Sequence, residues 1–281
     1  MSPSGRGLRP TSAGWPLLAV LAFGIISGAT AWVAFSGSFS DESSSSSDRY
    51  AEAVIGSPLR VNPLFGHLNE ADRDLISLVF SGLTRLGPDG AVLPDLAETW
   101  EISEDGGTVV FRLRHDVVWH DNTPLTAADV IFTYSLLADP NLEGDPDRAP
   151  LWRKVSCSAA DDYTVSCELP EPFAPFPAYA TTGILPRHLL EGVDATTIAN
   201  SAFNTQPVGT GPYELSELSP SRALLKAHQK YYLGAPALSE IEMQFFPDVA
   251  TAAGAVVKGD AQGVLLDSTA REDDVDAVAS V

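Results

Sequence analysis

The sequence predicts an α/β protein carried behind one N-terminal apolar span. Three observations predict it. Residues 15–35, WPLLAVLAFGIISGATAWVAF, form an unbroken run without charge. Downstream, short alternating segments are punctuated by Gly, Pro and Asp, the pattern of strands joined by tight turns. Between them stand longer runs with helical spacing at 69–83 and 127–137.

At 1.5 Å of rise per residue the run 15–35 crosses a bilayer core of roughly 30 Å as a helix. Trp15 and Trp32 lie near its ends, where amphipathic rings favour the interface. Arg6 and Arg9 precede it and Asp41 and Glu42 follow. The positive-inside rule leaves residues 1–14 in the cytoplasm and 36–281 outside, periplasmic or at the cell surface. The rival reading is a cleaved signal peptide, with small residues at Ala34–Ser38 and a secreted product. The apolar run exceeds the ~7–15 residues usual for a signal, which favours an anchor. No Cys follows it to take a lipid. Residues 36–49 then form a Ser-rich linker.

The chain of 281 residues is long enough for two domains, at ~100–200 residues each. It holds 37 acidic and 17 basic residues, a net charge of −20. Two of those bases, Arg6 and Arg9, precede the apolar run, so the part beyond it is more acidic still. Such a surface repels phosphate backbones, which argues against nucleic acid as a partner.

The first strand is expected at 50–56. The helix 69–83 has apolar residues at 75, 76, 78, 79, 80 and 83, with Asn69 as its N-cap. Gly87-Pro88-Asp89-Gly90 and Asp105-Gly106-Gly107 mark two hairpin turns. Val109, Phe111 and Leu113 alternate along the strand after the second turn, which turns Arg112 and Arg114 outward.

Residues 112–134, RLRHDVVWHDNTPLTAADVIFTY, gather His115, Asp116, His120, Asp121 and Asp129 around Trp119. This density invites a metal or catalytic reading. His115 and His120 are five apart across a turn, without HExxH or HxH spacing. There is no G-x-S-x-G elbow either. Structural work accounts for the residues: Asp121 and Asn122 suit a turn, and Thr126 and Asp129 form a capping box opening the helix 127–137. No metal is expected.

Cys157 and Cys167 flank SAADDYTVS, two short strands about a turn centred on Asp162. That symmetry suits a cross-strand disulfide outside the cytoplasm; the alternative is two small buried thiols. Further on, Gly209 and Gly211 in PVGTGPYEL permit positive φ or a close backbone approach. GTGP lacks the Lys and helix of a phosphate loop. The remainder reads as strand, Tyr-rich turn and strand, then helix, Gly-Asp turn and strand.

Several stretches in order carry a resemblance. They are NPLF (62–65), LVFSGLTRL (78–86), LPDLAETWEISEDGGTVVFRLRHDVVWHDNTPLTAADVIFTYSLLADP (93–140), LPRHLL (185–190), PVGTGPYEL (207–215), KYYLGAPALSEIEMQFFPD (230–248) and VVKGDAQGV (256–264). Together they resemble the family 5 extracellular solute-binding proteins, the oligopeptide- and dipeptide-binding type that serve ABC importers. The resemblance covers about residues 50–265. The block 93–140 is the most specific part; where Asn122 stands the family usually has Gly, and Asn tolerates the same left-handed turn.

The resemblance implies a periplasmic-binding-protein-like fold of the class II type, with mixed sheets and flanking helices. Residues 50–83 and 201–281 would form an incomplete first lobe and 84–200 an inserted second lobe. A third, C-terminal lobe that closes over the ligand would be missing. It implies no enzymatic activity and no cofactor. The partners would be a peptide or other small solute and ABC permease subunits. The ligand-facing loop would be Gly66, His67, Leu68 and Asn69, joined by Trp152 from the second lobe. With one wall of the cleft absent, peptide binding is expected to be weak or absent. Two other functions compete. An extracytoplasmic hydrolase would need a nucleophile and base, which the sequence does not offer. A sensor or regulatory module could reuse the binding fold, although the segment before the span is too short for a signalling domain.

Overall fold

The computed structural model describes residues 48–266, 270 and 272–281. The expected cytoplasmic segment, the apolar span 15–35 and nearly all of the linker lie outside the described residues. Among the described residues no helix is long and apolar enough to cross a membrane.

The chain begins with β1 (Arg49–Ile55), followed after a loop by α1 (Glu70–Val79). The short pair β2 (Thr84–Leu86) and β3 (Val92–Pro94) flanks the first predicted turn. Next come β4 (Ala97–Ile102) and β5 (Thr108–Leu113) about the second, where Gly106 has φ 70°. Then follow α2 (Ala127–Ala138), the single turn α3 (Ala149–Trp152), β6 (Ser156–Asp161) and β7 (Thr164–Glu168). Short 3-10 turns lead to β8 (Tyr213–Ser219), β9 (Arg222–Ala227), β10 (Glu240–Phe246), α4 (Val249–Lys258), β11 (Gly263–Val264) and α5 (Glu272–Ala279).

Two main sheets result. The first is mixed and five-stranded, in the order β11-β1-β10-β9-β8. Here β1 pairs in parallel with β10 and β11, while β8, β9 and β10 run antiparallel. The second is antiparallel and four-stranded, β4-β5-β7-β6. Each sheet backs its own apolar core. Val54, Leu75, Leu78, Leu225 and Met243 belong to the first core, between the mixed sheet and α1. Phe111, Trp119, Leu125, Val130 and Phe176 belong to the second, between the antiparallel sheet and α2. On the far face of the mixed sheet Ala53 packs against Ala252 and Val256 of α4. Burial on both faces explains why β1 alternates weakly in sequence.

Three expectations change. Helix α1 ends at Val79 rather than at residue 83, and Phe80 is extended. From there the chain is held by other segments: Ser81 O accepts the Ile184 N–H and Gly82 O accepts the Leu96 N–H. The first strand starts at Arg49, within the end of the expected linker. Leu185, Leu190 and Ile198, placed by sequence in the inserted lobe, pack into the first core.

Cys157 and Cys167 sit directly opposite on β6 and β7 and are bonded to each other in the structure. The left-handed conformation at Asn122, φ 70°, is the only one at a non-glycine among the described residues.

Candidate ligand-binding face

The loop 56–69 joins β1 to α1 across the open side of the first core. Its apolar members Val61, Leu64 and Phe65 turn inward and are at most 2% exposed. Buried polar side chains fasten the backbone between them. Asn62 donates from Nδ2 to Asn204 Oδ1 (2.9 Å), and its own Oδ1 accepts the Leu64 N–H (3.0 Å). Asn204 Nδ2 donates to the carbonyl of Ile198 (2.9 Å), and its carbonyl accepts the Val61 N–H (3.0 Å). At the start of the loop, Asp72 Oδ1 accepts the N–H groups of Leu59 (2.8 Å) and Arg60 (3.0 Å). At its end, Asn69 caps α1 by accepting the Ala71 N–H (2.8 Å) and donates from Nδ2 to the Ser57 carbonyl (2.7 Å). Two ends and the middle are thus tied to the scaffold, which is how a loop presents a surface without losing order on binding.

Between these ties, Gly66 is half-buried and His67 and Leu68 project into solvent. Leu68 is 53% exposed, and Leu59 beside the same tie is 67% exposed. Asn69 shares the loop, but its amide is committed to the cap and to Ser57. Trp152, expected beside the ligand, is instead 1% exposed in the second core. Its ring lies 4.5 Å from Tyr134 and 5.6 Å from Phe176 by centroids. The single turn of α3, Ala149–Trp152, is apolar throughout, and the Trp is the residue it buries.

The acids near this loop are held uncomfortably. Burial pushes the Asp72 carboxyl up, opposed by the two N–H groups it accepts. Burial pushes Asp74 further, to about 7, with Glu52 and Glu70 adding repulsion. Glu52 on β1 is also raised by burial.

The dense stretch 115–129 resolves differently. His115 stacks on Tyr163 at 3.9 Å. Asp121 accepts from the Thr123 N–H (2.9 Å) and lies 2.8 Å from His188 Nε2. Burial raises the Asp121 carboxyl, but His188 and Thr123 outweigh it and hold it below the ordinary range. The Asp129 carboxylate accepts the Thr126 N–H (2.9 Å), closing the capping box, and also the Arg187 N–H (3.0 Å). His120 has both ring nitrogens engaged with the backbone at Gly209 and Gly211. Among the described residues no three His, Cys, Asp or Glu gather as a metal site. Two surface depressions of about 290 and 510 Å³ flank this stretch, lined in part by His188 and by His115. Neither includes Gly66–Asn69, and their polar linings are largely bound to neighbouring backbone or side chains.

Sequence reasoning missed Asn62, Asp72 and Asn204. The local signal for Asn62 was a polar residue inside the apolar run VNPLF. Nothing local marks its partner 142 residues away.

Comparison with known proteins agrees with this architecture. The family model described as bacterial extracellular solute-binding proteins, family 5 Middle, matches residues 91–278. Protein XP55 of Streptomyces lividans is 33% identical over 264 residues, covering 93% of this chain and 47% of that protein. Among solved structures, NikZ from Campylobacter jejuni in complex with Ni(L-His) superposes with a TM-score of 0.69 at 30% identity, covering 76% of this chain and 42% of that one. The oligopeptide-binding protein AppA from Bacillus subtilis in complex with a nonapeptide gives a TM-score of 0.70 at 26% identity, covering 76% and 44%. This chain therefore spans less than half the length of these relatives. The mixed and antiparallel sheets are those of the periplasmic-binding-protein fold. The chain belongs to the family 5 bacterial extracellular solute-binding proteins, which bind solutes and do not catalyse reactions.

Proposed function

We propose that this chain is the solute-binding component of an ABC importer for peptides or similar small solutes, tethered outside the cytoplasm by residues 15–35. The observation that carries the reading is the fastened loop 56–69, which holds Gly66, His67 and Leu68 outward on an ordered backbone. The relative solved with a nonapeptide supports a peptide as ligand. Residues 50–83 and 201–281, joined by Leu185, Leu190 and Ile198, supply the first lobe with this loop, and the rest of 84–200 the second. The peptide main chain pairs with exposed backbone beside the loop, and its side chains occupy hydrated pockets. Asn69 acts through the cap that sets the direction of α1. A regulatory module built on the same fold is the alternative, and it would leave solute binding uncoupled from uptake.

Calorimetry on the full chain with a pool of di- to pentapeptides tests the reading. Small-ligand sites bury roughly 70–90% of the ligand surface. Saturable binding of the pool is expected, and His67→Ala should weaken it. No saturable binding at any peptide concentration would overturn the solute-binding reading.

A further inference from the structure

His120 has a place in the fold that peptide binding does not use. It stands where the two cores meet. Its turn belongs to the second core, and the segment it grips, Gly209–Gly211, leads into β8 of the first sheet. The His120 N–H donates to Gly209 O (2.9 Å). Its ring Nδ1 accepts the Gly209 N–H (3.1 Å), and Nε2 lies 3.1 Å from Gly211 O. An acceptor at Nδ1 leaves the proton on Nε2, so the ring is neutral and donates to Gly211 O.

The gripped segment has no slack. A Cβ on Gly209 would collide with the Val79 carbonyl, and one on Gly211 would lie 2.5 Å from the Leu78 carbonyl. The Gly211 N–H donates to Val79 O (2.9 Å), closing the end of α1. His120 therefore presses the return segment onto the helix that follows the loop 56–69. The His228 ring meets His120 edge-on at 4.9 Å, with its Nδ1 3.4 Å from the same Gly211 O. Just beyond it, Lys230 Nζ donates to Asn122 Oδ1 (2.6 Å) and the Tyr232 hydroxyl to Asp95 Oδ1 (2.5 Å).

We propose that His120 is a positioning residue, a neutral crosspiece that locks the second core's turn to the return segment 209–211 and releases it when the ring is protonated. A proton on Nδ1 would face the Gly209 N–H, so the second bond of the clamp is lost on protonation. The surroundings resist that charge. Burial depresses the His120 ring to about 4, with a contribution from His228; the Gly211 carbonyl and Asp121 oppose it. His228 is itself lowered by burial and by Lys230, against Gly211 and Glu214. Asp121 is already held by His188. The α1 end packed on the glycines, Leu78 and Val79, brings no titratable side chain.

The sign follows. The released ring titrates near 6.5 and the clamped ring near 4, so between those values the released form binds the proton. The clamp is at full strength above about 6.5 and weakens by up to tenfold per pH unit down to about 4. This holds whatever solute the protein takes.

The test uses the full chain with isotope-labelled histidine. In the intact protein, ring nitrogen shifts should report the Nε2–H tautomer and a midpoint near 4. Hydrogen exchange at the Gly209 and Gly211 amides, corrected for intrinsic rates, should lose protection as pH falls from 6.5. In His120→Gln, which offers an acceptor and a donor but no titration, that pH step should vanish while the fold persists. A midpoint at or above 6, an Nδ1–H tautomer, or an unchanged step in His120→Gln would overturn the proposal. The ring titration decides it even if the variant does not fold.

Discussion

In the loop 56–69 and the helix behind it, carboxyl groups are buried at a cost. In the turn 115–129 they are satisfied. Asp72 and Asp74 are pushed up by burial, whereas Asp121 is held down by its partners. The two regions look alike in sequence, each a polar-rich stretch before an amphipathic helix. They differ in where the hydrogen bonds point. In the turn Asp121 closes a turn, Thr126 and Asp129 a cap, His115 a stack and His120 a clamp. In the loop the polar side chains are spent on holding backbone, and the residues left outward, His67 and Leu68, make no such side-chain bond among the described residues. Density of His and Asp is therefore a poor guide to a ligand face. On the proposed reading the ligand face is instead an ordered loop with exposed apolar and imidazole groups.

The comparison can be broken in several ways. The largest effect should come from Trp152→Ala. If Trp152 is core rather than ligand wall, the substitution should cost about 3–5 kcal/mol in chemical denaturation. Loss of peptide binding without loss of stability would return Trp152 to the ligand. Reducing Cys157–Cys167, which closes a loop with a sequence separation of 10, should cost about 2–3 kcal/mol on the entropy model. Mass spectrometry of non-reduced peptides should show the bonded pair in the exported protein. Two free thiols there would contradict it.

Asp72→Ala should cost about 1–3 kcal/mol, because the Leu59 and Arg60 N–H groups lose their acceptor. It should also raise hydrogen exchange across 57–61 before it affects α2. Asp74→Asn should act in the opposite sense. The Asp74 carboxyl is raised from 3.8 to about 7, so the folded chain holds the extra proton between those values and stability falls as pH rises through them. Removing the charge should stabilise the protein at pH about 8, on the order of 1 kcal/mol, and should change little at pH about 4. Equal effects at both pH values would show that Asp74 bears no such penalty.

What the sequence made legible was local. The alternation at Val109, Phe111 and Leu113, the box at Thr126 and Asp129, the left-handed Asn122 and the facing cysteines all depend on neighbours within a hairpin or a turn. The end of α1 was not legible, since Phe80 and Leu83 continue an apolar run that fits either helix or buried strand. Trp152 was not legible either: one short apolar turn reads the same whether it faces a cleft or a core. The Asn62–Asn204 pair and the His120 clamp join residues 142 and 89 apart, and no spacing rule reaches that far. Gly209 and Gly211 left two readings open, and close approach to α1 is the one the fold uses.

The most direct test of the central claim maps where a peptide touches the chain. Amide shifts of the labelled full chain, followed during titration with the peptide pool, should move first at Gly66, His67 and Leu68. His67→Ala should weaken that response while leaving stability within about 0.5 kcal/mol. Shifts confined to 115–129, or no response at millimolar peptide, would contradict the account.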